Sequence, residues 1–134
     1  MSYEILFTEE HREQVVRYHS EEVADQLEKR LETKQRQLEL ISEQNQLGQR
    51  FHNFFGYKGI HVAEASFKAH RNQYRALLIL VGSFEDNYLV FYKVVEKEDR
   101  YESSQQWKTW RSVVENPSQI KKKAKDWVLE EMDL

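Results

Sequence analysis

The feature that most constrains the fold is an unbroken apolar run near the middle of the chain, from Ala76 to Val81. A run that is apolar at every position is typical of a central strand covered on both faces. Two β-rich runs flank it, Ile60 to Lys68 and Tyr88 to Glu96, and turn-forming residues separate the three. The sequence therefore predicts an antiparallel meander whose middle strand is Tyr74 to Val81.

The residues before the meander predict one strand followed by two helices. Tyr3 to Phe7 is rich in β-formers and reads as a first strand. Thr8 and Ser20 are each followed by two glutamates, which is the pattern of a helix N-terminus. After Ser20, apolar residues recur at helical intervals, and Gly48 just past Leu47 is the expected C-cap. The two helices are expected to form a hairpin whose apolar stripe packs on the sheet.

The residues after Arg100 return to helical periodicity, with a break at Pro117. The complete prediction is an α+β fold of order β-α-α-β-β-β, with an antiparallel meander packed under a helical hairpin and a C-terminal helical extension. A chain of 134 residues has room for one domain of ordinary size. Residues 1–104 are expected to form its main part, and residues 105–134 a Trp-rich extension.

The composition excludes several classes of protein. The chain contains no cysteine, which excludes disulfide scaffolds, thiol catalysis and cysteine-ligated zinc or iron–sulfur sites. No apolar run approaches the roughly 20 residues of a membrane-spanning helix, and the start of the chain lacks the pattern of a signal peptide. We therefore expect a cytoplasmic protein with no membrane partner.

Cofactors and metals are not expected either. The sequence lacks a glycine-rich phosphate loop, a dinucleotide fingerprint, a Gly-x-Ser-x-Gly elbow and a His-Glu-x-x-His motif. His61 and His70 lie on either side of Glu64, but this spacing matches no compact metal motif. The sequence therefore predicts neither a cofactor nor a metal site.

The charge is distributed unevenly along the chain. The formal net charge is −3, which taken alone disfavours nucleic acid as a partner. Residues 1–47 carry 6 basic against 11 acidic side chains, whereas residues 48–75 carry five basic side chains against one acidic side chain. A local cationic stretch can contact phosphates through short-range geometry. It can also arise by chance, so charge alone leaves both interpretations open.

The segment from Glu64 to Arg75 is a polar, cationic hairpin that leads into the apolar strand. Arg75 is therefore expected at the edge of a rigid sheet, where a guanidinium can bind a phosphate through two hydrogen bonds. In a meander, the start of the middle strand and the end of the next strand lie at the same edge. The residues expected to meet Arg75 there are Glu64, Lys68, Lys97, Arg100 and Tyr101.

Such a set of side chains has the chemistry to cleave RNA without a metal. Cationic groups would hold the scissile phosphate, a carboxylate would accept the 2′-hydroxyl proton, and tyrosine or lysine would assist the leaving oxygen. The alternative is structural: Arg75 and Lys97 would form surface ion pairs with nearby carboxylates, namely Glu64, Glu96 or Glu98. The spacing alone does not choose between these interpretations.

Four local features occur together over residues 1–104. They are an opening strand followed by Thr-Glu-Glu (Tyr3 to Glu10), a helical hairpin, a Tyr74-Arg75 entry to the central strand, and a last strand (Tyr88 to Val95) that runs into Glu-Lys-Glu-Asp-Arg. In these features the chain resembles the RelE/ParE toxin superfamily of bacterial toxin–antitoxin systems. Members of this superfamily cut messenger RNA on the ribosome or poison DNA gyrase, and an antitoxin peptide wraps around them.

The resemblance implies a RelE-like toxin, a metal-independent endoribonuclease that cleaves mRNA, with RNA or the ribosome and a cognate antitoxin as partners. It places Arg75 at the family's recurrent phosphate-binding arginine and makes Glu64 an admissible general base. Lys97 and Tyr101 would complete the catalytic set. The RNA-binding side chains would be Lys68, His70, Arg71 and Arg100.

Two other functions stay open on the sequence. The same fold would suit a catalytically silent protein that binds a protein target such as gyrase or an antitoxin. The overall charge favours this, as does Glu98, which stands where one branch of the family carries a catalytic arginine. The third possibility is a structural or regulatory domain unrelated to toxins. That interpretation would follow if the three β-runs did not form one antiparallel meander under the long helix.

Overall fold

The α+β architecture expected from the sequence is confirmed in a computed structural model, which describes residues 2–41, 46–51, 53–57, 60–82, 86–96 and 116–132. In chain order the elements are β1 (Ser2–Leu6), α1 (Glu9–Tyr18), α2 (Glu21–Leu38), α3 (Leu47–Arg50), β2 (Asn53–Tyr57), β3 (Ile60–Ala69), β4 (Asn72–Gly82), β5 (Asp86–Glu96) and α4 (Pro117–Met132). Helices α1 and α2 form a hairpin on one face of the sheet, and α4 packs on the other.

The sheet has five strands in the order β1-β5-β4-β3-β2. Strands β3, β4 and β5 form the predicted antiparallel meander, and β1 pairs with β5 in parallel. The apolar run lies in the central strand β4 and contributes to two cores. Ala76 and Leu78 face the helical hairpin, whereas Leu77, Ile79 and Val81 face α4. Because the meander does form under α2, the condition stated above for an unrelated structural domain is not met.

The hairpin begins at the two predicted N-caps. The Thr8 hydroxyl accepts a hydrogen bond from the amide of His11, and the Thr8 amide donates to His11 Nδ1 at 3.0 Å, which completes a capping box. The Ser20 hydroxyl accepts from the amide of Val23 at 3.2 Å. Each cap satisfies backbone donors that the first turn of a helix leaves free, so the two-helix prediction is confirmed at its start points.

Helix α2 ends at Leu38, earlier than the predicted Gly48 cap. Its 18 residues make it about 27 Å long, which is comparable to the ten-residue strand β3 beneath it. A helix that continued to Leu47 would extend beyond the strands that it covers. The chain turns instead, and Ile41 and Leu47 are both buried in the same core as the hairpin.

One strand was not predicted. Asn53–Tyr57 pairs antiparallel with the first half of β3 and forms the edge of the sheet. The segment is only five residues long and contains Asn53 and Gly56, which are residue types depleted from strands, so its three aromatic residues gave no clear strand pattern. Its strand conformation is stabilised by the ladder with β3 and by contacts such as Phe54 on His61, whose ring centroids lie 5.5 Å apart.

Strand β5 contains one residue that breaks the predicted alternation of its faces. Phe91 and Lys93 pair with consecutive residues of β4, so Tyr92 between them is extra and forms a β-bulge. Strict alternation predicts Val94 on the face of Tyr92. The bulge instead returns Val94 to the core beneath the hairpin, where Phe91 also lies.

His11 is buried where α1, β5 and α4 meet. Its ring centroid lies 5.4 Å from that of Phe91 and 4.4 Å from that of Trp127. Burial, and then the charge of Lys123, lowers the pKa of His11 to about 4. Since Nδ1 accepts from the Thr8 amide, the neutral ring carries its proton on Nε2.

The two helices of the hairpin are joined at the surface by Arg12. Its guanidinium contacts Asp25 at 2.7 Å and Glu28 at 3.1 Å, so one residue of α1 binds two carboxylates of α2. The hydrogen bond to Asp25, together with the two negative charges, raises the pKa of Arg12. The acidic side chains on this side of α2 are thereby engaged within the hairpin.

Polar side chains of the hairpin also cover sheet edges. Gln35 accepts a hydrogen bond from the Ile5 amide at 2.7 Å and donates to the Tyr3 carbonyl at 3.1 Å. His19 Nε2 lies 3.2 Å from the carbonyl oxygen of Val94, in the part of β5 that continues past its pairing with β1. These contacts occupy hydrogen-bonding groups that edge strands otherwise expose.

No helix among the described residues is both long enough and apolar enough to span a bilayer.

Candidate nucleic-acid interface

The register between β3 and β4 brings Arg75 and Glu64 together. Ser66 pairs with Arg75 and Glu64 pairs with Leu77, so the two charged side chains are diagonal neighbours on the face of the sheet that α4 packs on. Arg75 Nη1 donates to Glu64 Oε1. The predicted meeting of these two residues at the start of β4 is therefore found in the structure.

The pair is buried, in contrast to the surface ion pairs considered from the sequence. The side chains of Arg75 and Glu64 are 4% and 1% exposed, and none of the described residues accepts a hydrogen bond from Arg75 Nε. Removal of either side chain of such a buried pair leaves the other without its partner. In this arrangement the guanidinium binds a carboxylate of the protein and is shielded from solvent.

The turn between β3 and β4 presents exposed polar side chains of the site. It contains only His70 and Arg71, because Ala69 already pairs with Asn72, and is therefore shorter than the five-residue connection expected from the sequence. Both turn residues are exposed and have positive φ, 51° and 67°. This is the backbone of a type I′ turn, which usually carries glycine or asparagine.

Lys68 and Ser20 also belong to this end of the sheet. Lys68 is exposed on β3, two residues before the turn. His70 Nε2 lies 3.1 Å from the hydroxyl of Ser20, so the turn is tied to the N-cap of α2. The contact with Ser20 fixes the position of the turn, and therefore the position from which the exposed side chains of the turn project.

Three predicted site residues, Lys97, Arg100 and Tyr101, lie outside the described residues. Strand β5 ends at Glu96, which pairs with Tyr74 at the start of β4. Within the described part of the chain, no group of three or more His, Asp or Glu side chains is placed to hold a metal ion.

Sequence reasoning missed the contribution of α2 to this region. Arg30 Nε donates to the carbonyl oxygen of Ser66 at 2.9 Å, in the half of β3 that extends beyond its pairing with β2. Lys29 precedes Arg30 on the same helix and lines the same depression as Lys68. The signal was present in the sequence, because Gln26, Lys29 and Arg30 have the spacing of one helical stripe. These cations did not stand out because residues 1–47 carry a net negative charge.

Comparisons of the chain with protein-family models, with curated proteins and with solved structures gave no match.

Proposed function

We propose that the protein binds RNA through the backbone phosphates that contact the β3–β4 turn. The observation that carries this proposal is the group of exposed side chains Lys68, His70 and Arg71 on and beside one tight turn. No acidic residue occurs from Ala65 to Gly82, so the turn and the strand residues next to it carry no carboxylate that would compete for Lys68 and Arg71. Phosphate contacts of this kind supply most of the affinity of sequence-independent binding.

The backbone of the turn supports a binding role. Residues with positive φ that are not glycine cost stability, and such positions cluster at sites where the side chain serves a purpose. His70 and Arg71 both occupy this region. A hairpin selected for stability alone would carry glycine or asparagine there. Messenger RNA as the ligand would place the protein in the cytoplasm.

The burial of Arg75 and Glu64 favours binding without cleavage. A general base must reach the proton that it abstracts, and a phosphate-binding arginine must reach the phosphate. Neither side chain is exposed in the structure, and each engages the other. The exposed turn meets the geometric requirement for binding, whereas the pair in its present contact does not meet the requirement for catalysis.

Fluorescence anisotropy with a labelled single-stranded RNA oligonucleotide tests the proposal. Arg71→Ala and Lys68→Ala should each weaken binding about fivefold near 0.1 M salt and reduce the salt slope of log K by about 0.7. Lys122→Ala is the matched control, because Lys122 is an exposed lysine on α4. Binding of wild type that does not depend on Lys68 or Arg71 would rule out the turn as the binding site.

A second candidate function is metal-independent cleavage of mRNA, which the resemblance to RelE/ParE toxins implies. What favours it is that the hairpin of the turn also carries a carboxylate and a guanidinium, Glu64 and Arg75, which are the groups that the reaction needs and which would have to separate to act. In this reaction Glu64 would accept the proton of the 2′-hydroxyl, and the 2′ oxygen would attack phosphorus while Arg75 stabilises the added charge. The 5′ oxygen would leave with a proton supplied by a second group, giving a 2′,3′-cyclic phosphate.

Expression of wild type and Arg75→Ala in a bacterium tests cleavage. Growth arrest and transcript cut sites that appear with wild type alone would support the reaction. Because Arg75→Ala alters a buried pair, Glu64→Gln and Arg75→Lys are measured beside it, with circular dichroism to verify folding. If folded variants and wild type leave growth and transcripts equally unchanged, the cleavage proposal is wrong. A gene for a small antitoxin beside the gene of this protein would support a toxin.

A further inference from the structure

A groove of about 450 Å³ lies between helix α2 and the half of β3 that extends beyond its pairing with β2. Helix α2 provides one wall and strands β3 and β4 the other. The side chains and backbone that line the groove are those of Gln26, Lys29, Arg30, Thr33, Ser66, Phe67, Lys68 and Gln73. Three of these residues are cationic, four are neutral and polar, and none is acidic.

The groove lacks carboxylates because α2 separates its charges by face. Residues 26, 29, 30 and 33 follow the i, i+3, i+4, i+7 spacing of one stripe, and none of these four is acidic. Glu22, one turn earlier, accepts a hydrogen bond from Gln26 at 3.0 Å and does not line the groove. Asp25 and Glu28 lie on the stripe that faces α1, where Arg12 binds both. The helix is therefore acidic in total and cationic on the side of the groove.

The cations of the groove are fixed by the fold. Arg30 is held by its Nε hydrogen bond to the Ser66 carbonyl at 2.9 Å, which uses one of the five N–H donors of the guanidinium. Lys68 belongs to the strand that ends in the cationic turn, and it lines the groove as well. Lys68 thus connects the turn with the groove.

The buried Lys34 lies one turn after Arg30 on α2. Its ammonium donates to the carbonyl oxygen of Arg50 and lies 5.4 Å from the centre of the Phe51 ring. Burial, followed by the charges of Arg30 and Arg50, lowers the pKa of Lys34. Charges that disfavour a further cation favour an anion at the nearby surface.

We infer that this groove is a second phosphate-binding site for the same RNA, in which Lys29 and Arg30 bind backbone phosphates that follow those bound at the turn. The inference rests on the function proposed above and extends it from one turn to a continuous track: His70 and Arg71, then Lys68, then the stripe on α2. Gln26, Thr33 and Gln73 supply neutral donors and acceptors of the kind that hydrogen-bond ribose hydroxyls.

The experiment measures RNA affinity of the full chain as a function of salt. Lys29→Ala is expected to weaken binding about fivefold near 0.1 M salt and to lower the slope of log K against log salt by about 0.7. Lys29→Glu should weaken it further, and Lys122→Ala should match wild type. Lys29 is exposed, so thermal melting should show no change in stability. Combination of Lys29→Ala with Arg71→Ala should add the two slope changes, because each removes a separate phosphate contact.

The outcomes separate the two proposals. If Arg71→Ala weakens binding while Lys29→Ala and Lys29→Glu bind like wild type, the groove is not a phosphate site and the turn remains the binding site. If wild type binds no RNA, the function proposed above fails and the groove fails with it. If a DNA strand of the same sequence binds as tightly and with the same dependence on Lys29, the phosphate site stands and selection for RNA is overturned.

Discussion

Two arginines of this protein contact carboxylates in opposite surroundings. Arg12 binds Asp25 and Glu28 at the surface of the helical hairpin, where water solvates all three groups. Arg75 binds Glu64 inside the protein, where neither has water as an alternative partner. Loss of one partner is therefore expected to cost little in the first case and much in the second, since a buried charge that loses its partner keeps its desolvation cost. Burial, more than the identity of the pair, determines what each arginine does.

The largest effect is expected from breaking the buried contact. Glu64→Gln keeps the shape of the side chain but leaves Arg75 without a negative partner, and should lower the free energy of unfolding by about 3–5 kcal/mol. Urea denaturation at neutral pH measures this. The double variant Glu64→Leu/Arg75→Leu should recover most of the loss, because no uncompensated charge remains. A loss below about 1 kcal/mol for Glu64→Gln would show that the buried pair behaves like the exposed one.

A second buried group, His11, should make stability depend on pH. The pKa of His11 is about 4 in the folded protein and about 6.5 in the unfolded chain, so between these values the unfolded state binds more protons. Stability is therefore complete above pH 6.5 and is lost as the pH falls towards 4, by about 2 kcal/mol at pH 4.5.

His11→Gln tests this, because glutamine at the third helical position preserves the capping box. The variant should lack the part of the acid destabilisation that is due to His11, as measured by urea denaturation at pH 7 and pH 4.5. Equal pH dependence in both proteins would contradict a buried, neutral His11.

In the exposed turn, replacement of Arg71 by glycine should increase stability and weaken RNA binding. Arg71 has a φ of 67°, a conformation that glycine adopts without steric cost. Arg71→Gly is expected to raise the free energy of unfolding by about 1 kcal/mol while it weakens RNA binding about fivefold. Parallel urea and anisotropy measurements check both effects. Lower stability would contradict the backbone argument, and unchanged affinity would contradict the role of Arg71 in binding.

The smallest effect is expected at the exposed ion pairs. Arg12→Ala should shift the urea midpoint by only a small fraction of the shift in Glu64→Gln, since these charges are screened by water. In about 1 M NaCl the difference from wild type should disappear, because the Debye length is then about 3 Å. The buried pair should keep its effect in the same salt. A large or salt-insensitive shift for Arg12→Ala would remove the contrast between the two arginines.

The sequence predicts most of the fold because its signals are local. Thr8 and Ser20 mark the two helix starts, and the apolar run of β4 identifies the central strand. What could not be predicted depends on tertiary contacts. Strand β2 is stabilised by β3, the end of α2 at Leu38 follows the length of the sheet, and the bulge at Tyr92 reverses the faces of β5 after it.

The candidate site was predicted only in part, because strand pairing follows from the sequence whereas burial and contacts across the fold do not. The neighbourhood of Arg75 and Glu64 follows from antiparallel pairing, which sequence order alone implies. Their burial does not, because it depends on what packs over that face of the sheet. The cations of α2 were missed because charge was summed along the chain, whereas Lys29 and Arg30 reach β3 across the fold. A charge count for each helical stripe would have separated them from the acids that bind Arg12.

The carboxamide of Gln35 has a consequence for how copies of this protein behave when they meet. By bonding to the amide of Ile5 and the carbonyl of Tyr3, it reproduces the donor and acceptor that a sixth strand would offer to β1. Before a strand of another chain could pair with β1, it would have to displace the side chain of Gln35, which belongs to α2. A single glutamine thus protects the β1 edge of the sheet against self-association, for which other proteins use a charged or twisted edge strand.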